Sequence, residues 1–320
     1  MKCFLAANSA EGFVSEFGSC YDPTKDWRAY IIKGGPGTGK SSFMRKVLKR
    51  KKVSDNTAVE VYCASDPDSL DAVILPSSKT VIMDGTAPHI VEPKMPGIGD
   101  SILNFGNFWD ETRLKKSADR IISSTRENKA LHGMAGHYIR AAGEVISACF
   151  EQSEKTADRR RAEKRYKEIA DSYIPKKGGL GYSHSAFICG VTPKGIISFE
   201  EELSAENRIE IGDGFGAESE QIAKGLAATA TERGYETVVF RNPILPSTLT
   251  DGVFIPELSL FVYKKHKLAD DSIVTELLNH ASEYIKKAKE IHDELEGYYI
   301  SAMDFEALNK YTDRFLSDRF

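Results

Sequence analysis

The sequence lacks several features that would place it in a broad class at once. No stretch of its 320 residues approaches the run of roughly 20 apolar residues that a membrane-spanning helix needs. The net charge of −4 gives no overall attraction for nucleic acid, so we expect no nucleic-acid partner. The first residues show no apolar core followed by a cleavage pattern. We therefore expect a cytoplasmic protein that has no membrane partner.

Cysteines are few and scattered. None has the spacing of metal ligands, and their odd number does not suit a complete set of disulfides. We interpret them as buried, reduced thiols. They are Cys3, Cys20, Cys63, Cys149 and Cys189. The remaining composition, with 41% apolar and 28% charged residues, is that of a globular protein, and the length allows about two domains.

A glycine-rich segment near the amino terminus carries the strongest chemical signal. Residues 34–41 read GGPGTGKS, which matches the pattern G-x-x-x-x-G-K-S. The apolar run 28–33 predicts a buried strand before it, and an apolar stripe in 41–52 predicts a helix after it. A strand, a glycine-rich loop and a helix in this order are the context in which the pattern binds phosphate groups.

The residue types of this segment indicate how it would bind a nucleoside triphosphate. Glycines let backbone N–H groups converge on an anion, and the start of a helix adds the positive end of its dipole. Lys40 would interact with the β- and γ-phosphates, and the Ser41 hydroxyl would ligate Mg²⁺. The residues expected to hold the phosphates are Gly35, Pro36, Gly37, Thr38, Gly39, Lys40, Ser41 and Ser42.

A second part of the same site is predicted at residues 80–84. Four strand-like residues lead to Asp84, which would hold Mg²⁺ together with Ser41, and Gly85 follows as a turn. Many ATPases place a glutamate directly after this aspartate, where it activates water. With Gly85 there instead, the base lies elsewhere, hydrolysis is slow, or the phosphoryl acceptor is not water.

Three aspartates after another predicted strand, 58–62, are candidates for the missing base. If that strand lies in the same parallel sheet, its exit opens on the same edge as the loop. The same residues also suit turns and a helix start, and both interpretations stay open. The aspartates are Asp66, Asp68 and Asp71. We assign Asp66 a catalytic role beside Lys40 and Asp84; His89 is a candidate γ-phosphate sensor or a structural histidine.

Residues 209–224 repeat the first loop in altered form. Gly34 and Gly212 are 178 positions apart, as are Ser41 and Ser219. Blocks downstream match at an offset of 180, and a block upstream matches at 183. Matches that keep their order along the chain predict a duplicated domain.

The second copy has lost the groups that would bind Mg²⁺ and nucleotide. The pair Ala217–Glu218 replaces Gly39–Lys40, and Lys264 replaces Asp84. One contact between unit charges at about 4 Å and an effective dielectric near 20 contributes about 4 kcal/mol, so this exchange turns an attraction into a repulsion. We predict that the second copy does not bind Mg–nucleotide and acts as a scaffold or regulator.

Helical segments follow each predicted core. The spacing of apolar residues predicts helices over 112–150, 151–173 and 271–317. Proline and paired glycines make 174–183 a predicted linker. We therefore predict two repeats, 1–176 and 177–320. Each would be an α/β P-loop core with a parallel sheet and a helical hairpin extension.

Several stretches together resemble a known family. They are GFVSEF, IIKGGPGTGKSSF, SDPDSLD, VIMDGTAPH and NFWDETRL. In combination they resemble bacterial tandem P-loop ATPase-like proteins, which are described as nucleotide-kinase-like. The resemblance runs across most of the chain and is strongest over residues 10–115. It implies a P-loop NTPase fold and ATP as the nucleotide, and it names no substrate.

Three functions fit these features. The first is Mg²⁺-dependent ATP hydrolysis that signals a conformational change between the halves. The second is a kinase for a nucleotide or another small molecule, in which Asp66 would deprotonate the acceptor and Arg113, Arg126 or Arg140 would close over the site. The third is a nucleotide-gated interaction module with negligible turnover, whose degenerate copy docks a protein partner.

Overall fold

The computed structural model describes residues 1–51, 57–265 and 272–320. Within these ranges the chain is a mixed α/β structure with two β-sheets, two β-hairpins and seven α-helices. None of the described helices has an apolar stretch long enough to cross a bilayer. Residue 271, at which the last predicted helical segment begins, lies outside the described residues.

The amino-terminal half contributes eight strands. They are β1 (Lys2–Cys3), β2 (Ala6–Ser9), β3 (Gly12–Ser15), β4 (Arg28–Lys33), β5 (Val59–Tyr62), β6 (Leu70–Leu75), β7 (Thr80–Asp84) and β8 (Asp100–Asn104). Six of them form the first sheet in the order β1-β5-β6-β7-β4-β8, and β2 pairs with β3 in a hairpin.

This first sheet is mixed, so the prediction of a parallel sheet is wrong for one strand. β7 and β8 lie parallel to β4 on its two sides, whereas β6 runs antiparallel to both β5 and β7. Only residues 76–79 join β6 to β7, and a parallel crossover needs a dozen residues or more. The carboxyl ends of β4, β5 and β7 still meet at one edge of the sheet.

The second half contributes seven strands. They are β9 (Tyr182–Ala186), β10 (Cys189–Thr192), β11 (Gly195–Ser198), β12 (Asn207–Asp213), β13 (Glu236–Arg241), β14 (Thr250–Ile255) and β15 (Leu260–Lys265). Five form a sheet in the order β12-β15-β14-β13-β9, and β10 pairs with β11 in a hairpin.

The two halves share one topology. The second sheet repeats the order and the strand directions of β4-β7-β6-β5-β1 in the first. The register repeats as well, because Ala72 lies opposite Met83 and Gly252 lies opposite Tyr263, 180 positions later. The short turns after β6 and β14 both end in a left-handed residue, Lys79 or Ser259.

Seven helices pack around the sheets. They are α1 (Lys40–Lys51), α2 (Glu111–Lys116), α3 (Ala118–Thr156), α4 (Arg159–Tyr173), α5 (Ala217–Glu232), α6 (Ser272–Ala302) and α7 (Phe305–Arg319). The longest two, α3 and α6, run antiparallel along each other. The Asn128 side chain donates a hydrogen bond to the Ala288 carbonyl (2.7 Å), and the Tyr138 and Tyr284 rings stack.

A helical hairpin within each repeat was the expectation, and here the structure corrects it. The 39 residues of α3 pack along α6 from the other half, not along α4. A long apolar stripe is best buried against a partner of similar length, and α6 has 31 residues whereas α4 has 15. The packing of α3 against α6 therefore joins the two halves of the chain.

The short carboxyl-terminal helices are exchanged between the two cores. Leu308 and Phe315 of α7 are buried with Phe43 of α1 on the first sheet. Conversely, Ile169 of α4 is buried with Ile222 of α5 on the second sheet. The predicted division at residue 176 falls between the two sheets, yet each sheet's core is completed by a helix from the other half.

Candidate functional site

The first glycine-rich loop lies between β4 and α1, at the edge of the sheet where the parallel strands end. Gly37 and Gly39 have φ angles of 65° and 87°, which L side chains rarely adopt, so these two positions require glycine. The Thr38 hydroxyl is buried and donates a hydrogen bond to the Gly35 carbonyl (2.8 Å). Pro36 has no N–H group and therefore shapes the loop without donating to a ligand.

Lys40 and Asp84 are brought into contact. The Lys40 Nζ atom lies 3.5 Å from Asp84 Oδ2 and also donates to the carbonyls of Gly34 (3.1 Å) and Gly35 (2.7 Å). The lysine and aspartate side chains are 13% and 15% exposed. The cation is thus held by weak neutral acceptors and one carboxylate, which an incoming phosphate group could replace.

Thr86 fastens this aspartate to the loop, a role that the sequence analysis missed. Its N–H group donates to Asp84 Oδ1 (2.8 Å), and its hydroxyl donates to the Gly34 carbonyl (2.9 Å). Both hydrogen bonds of Thr86 depend on a turn immediately after β7. The sequence signal for this turn was Asp-Gly-Thr, in which an aspartate commonly accepts from an N–H group two residues on.

The other predicted residues lie around this pair. The Ser41 hydroxyl accepts a hydrogen bond from the Leu70 N–H (3.0 Å), while Ser42 is exposed on α1. Asp66 accepts from the Ser69 hydroxyl (2.8 Å). Among the described residues, its carboxylate has no contact with Lys40 or Asp84. The catalytic role of Asp66 stays a prediction.

The other two aspartates and His89 form contacts of their own, apart from Lys40 and Asp84. Asp68 forms an exposed ion pair with Lys194 of the second half (2.7 Å). Asp71 is buried, and its Oδ2 atom lies 3.1 Å from His89 Nε2. Burial lowers the pKa of His89, but the contacts with Asp71 outweigh it, so the net pKa lies above the ordinary value.

The end of α6 covers the first loop. The Gly37 N–H donates a hydrogen bond to Glu296 Oε1 (3.2 Å). The Tyr299 ring approaches so closely that a Cβ atom at Gly35 would lie 2.5 Å from it. Interaction with His292, whose Nε2 atom is 3.6 Å from Glu296 Oε1, lowers the pKa of Glu296. The Glu296 carboxylate therefore already accepts a hydrogen bond from one of the main-chain N–H groups that are predicted to bind phosphate.

At the second loop, the two residues whose charges are inverted relative to the first, Glu218 and Lys264, pair with other residues and not with each other. Glu218 turns outward to Arg161 of α4 (2.6 Å). Lys264 is completely buried and forms an ion pair with Glu220, whose side chain is 4% exposed. Burial lowers the pKa of Lys264. The sequence analysis missed Glu220, which stands 178 positions after Ser42.

A cavity of about 470 Å³ lies at this second loop. Arg161 and Arg165 of α4 line one part of it, and the loop residues Gly216 and Glu218 line another. The end of α3 contacts the same loop, because the Ser153 hydroxyl accepts a hydrogen bond from the Ala217 N–H (3.0 Å). Each glycine-rich loop is therefore covered by the helices of the opposite half.

Comparisons with protein-family models, with curated proteins and with solved structures found no match. The function of the site is therefore inferred from its geometry and its residues.

Proposed function

We propose that the chain is a duplicated P-loop protein whose first copy binds and hydrolyses ATP with Mg²⁺. The observation that carries this proposal is the first loop itself. Lys40 meets Asp84 at the start of a helix, and the Gly37 N–H beside them donates to a carboxylate. Main-chain amides that already bind one anion have the polarity to bind phosphate groups. The shared topology of the two halves supports the duplication.

The donor groups fit Mg²⁺, which prefers oxygen ligands and octahedral geometry. Ser41 and Asp84 would hold the ion, and when bound it would neutralise charge on the β- and γ-phosphates. Lys40 would leave the carbonyls of Gly34 and Gly35 and turn to the phosphates. The chain's own contribution is thus to orient the triphosphate and to replace its hydration by fixed donors.

The cover over the loop supports a conformational switch. A triphosphate that uses the Gly37 N–H must displace the Glu296 carboxylate, because both anions need the same donor. Glu296 belongs to α6, which packs along α3, and the end of α3 contacts the second loop through Ser153. Nucleotide binding would therefore move a helix pair that reaches both halves.

A kinase is the second candidate. Gly85 follows Asp84, so no glutamate stands there to activate water, while the Asp66 side chain is 20% exposed and lies 3.8 Å from Lys289 of α6. Of the three arginines expected to close over an acceptor, Arg113 donates to the Ser301 carbonyl at the end of α6, and Arg126 and Arg140 are exposed on α3. The phosphoryl acceptor of a kinase would bind at this end of α6. If the chain is instead a cytoplasmic switch, a protein partner would bind there.

Calorimetry with Mg–ATP tests the proposal. We expect one ATP per chain for the wild type and for Glu218→Lys, and none for Lys40→Ala. Two ATP molecules per chain, or binding that does not depend on Lys40, would contradict it. Release of phosphate and ADP, measured with and without nucleoside or nucleotide acceptors, then separates hydrolysis from phosphoryl transfer.

A further inference from the structure

Three side chains that the nucleotide chemistry leaves unused converge next to the first loop. Cys63 follows β5, Asp71 lies in β6 and His89 follows β7. A sulfur, a carboxylate oxygen and a ring nitrogen from these residues all lie within 4.8 Å of one another. Because the three come from different strands, their spacing along the chain carries no metal-ligand pattern.

The surroundings of His89 leave one of its nitrogens without a partner. His89 is 8% exposed and Asp71 is 6% exposed. The Nε2 atom of His89 faces Asp71, but its Nδ1 atom is buried and has no hydrogen-bond partner among the described residues. The rings of Phe13 and Phe17 pack beside the imidazole, with centroids 5.2 and 5.0 Å away. With the N–H of the neutral imidazole on Nδ1, the lone pair of Nε2 would face the Asp71 carboxylate, and a cation bound between these two acceptors would stabilise the arrangement.

We propose that Cys63, Asp71 and His89 bind a divalent transition-metal ion of the Zn²⁺ class. Sulfur, imidazole nitrogen and carboxylate oxygen form a donor set that suits Zn²⁺ and does not suit Mg²⁺. Three protein ligands leave a fourth position of a tetrahedral ion open to water or to a substrate oxygen. This site is separate from the Mg²⁺ ligands Ser41 and Asp84, and the inference does not rest on nucleotide binding.

The distances are compatible with such an ion after a small movement. In a tetrahedral Zn²⁺ site with bonds of about 2.0–2.3 Å, donor atoms lie roughly 3.3–3.6 Å apart. The Asp71–His89 contact of 3.1 Å already approaches this spacing. The longest separation, up to 4.8 Å, must shorten by about one ångström, which a side-chain rotation can supply.

The proton balance of binding is simple. Asp71 binds as a carboxylate, His89 must bind as a neutral imidazole and Cys63 as a thiolate, and the protons that His89 and Cys63 give up go to the solvent. Metal affinity should therefore fall as the pH is lowered.

The second copy shows what the same place looks like without this donor set. Asp251, 180 positions after Asp71, accepts from the Cys189 thiol (3.3 Å) and from the Asn242 side-chain amide (2.9 Å). Asn242 follows β13 as Cys63 follows β5, so an amide stands in the place of the thiol there. Among the described residues, a thiol, a carboxylate and an imidazole come together in the first half alone.

The test uses the full chain, stripped with a chelator, loaded with Zn²⁺ and dialysed before elemental analysis. We expect one Zn²⁺ per chain in the wild type and in Cys149→Ser, which removes an exposed cysteine. Cys63→Ser and His89→Gln should bind at least 100-fold more weakly. Lys40→Ala should keep its Zn²⁺, so that a failed nucleotide experiment leaves this result intact.

Substitution with Co²⁺ provides a second, spectroscopic readout. A thiolate-to-Co²⁺ absorption band in the near ultraviolet is expected for the wild type and should be absent in Cys63→Ser. Absence of the band in the wild type, absence of stoichiometric Zn²⁺, or unchanged Zn²⁺ affinity in folded Cys63→Ser would each overturn the proposal.

Discussion

The two glycine-rich loops occupy equivalent places in two similar sheets. Each lies beside an ion pair, but the positions of the cation and the anion are exchanged and the two pairs differ in burial. In the first, the helix supplies the cation Lys40 and the strand supplies the anion Asp84, and both side chains remain partly exposed. In the second, the strand supplies the cation Lys264 and the helix supplies Glu220, and both are sealed from solvent. A pair that water still reaches can exchange its partners for a ligand, whereas a sealed pair is inaccessible to a ligand and each of its charges depends on the other.

The side chains from the opposite half that contact each loop also differ. The first loop is covered by a carboxylate, Glu296, which a stronger anion can displace. The second is covered by the Ser153 hydroxyl, while Glu218 is engaged by Arg161. At the second loop, internal contacts of the chain occupy the groups that the first loop leaves accessible to an anion.

The largest effect should come from breaking the sealed pair. Lys264→Met leaves Glu220 buried without its main partner and should lower the free energy of unfolding by about 3–5 kcal/mol, less what nearby Lys224 recovers. Chemical denaturation measures this loss. The double variant Lys264→Met/Glu220→Leu should regain most of it, because the uncompensated Glu220 carboxylate is then gone and Lys224, which also pairs with Glu220, is exposed to solvent; a double variant as unstable as the single one would contradict this account.

The matched change at the first loop should affect the ligand more than the fold. Lys40→Met removes a contact worth about 4 kcal/mol with phosphate and should weaken Mg–ATP binding at least about 100-fold. Its unfolding midpoint should shift less than that of Lys264→Met, since Asp84 keeps the N–H group of Thr86. Equal losses of stability in the two variants would erase the proposed distinction between the loops.

A smaller effect is expected at the cover. Glu296→Gln removes a negative charge from the phosphate cradle and should tighten Mg–ATP binding about tenfold, a gain of about 1.4 kcal/mol. Glu294→Gln, which makes the same change at an exposed position of α6, is the control and should leave affinity unchanged. Weaker binding in Glu296→Gln would mean that the carboxylate assists the nucleotide and does not compete with it.

The smallest effect concerns pH. The pKa of Glu296 is lowered from 4.5 in the folded chain, so its ionised form stabilises the fold above pH 4.5. This contribution is lost as the pH falls through the lowered pKa. The difference in unfolding free energy between wild type and Glu296→Gln should follow that course and stay below about 1 kcal/mol, because solvent screens the half-buried carboxylate. A difference that grows on acidification would contradict the sign.

Much of the fold was accessible to sequence reasoning where the signal is local. The strand before Gly34, the helix after it and the strand that ends at Asp84 follow from apolar spacing and glycine placement. The antiparallel direction of β6 was missed, although the short link at 76–79 could have indicated it. The spacing of Cys63 gave no hint of its neighbours, because they come from other strands.

The sequence alone therefore determined the glycine-rich loop with Lys40 between a strand and a helix, the aspartate at the end of β7 and the repeated order of elements. These features depend on residues close together in the chain, whose backbone preferences act locally. Tertiary structure alone decided that Glu296 covers Gly37, that Glu220 and not Glu218 pairs with Lys264, and that α4 and α7 exchange cores. Such contacts join residues that are often far apart in the chain, so no local backbone preference specifies them.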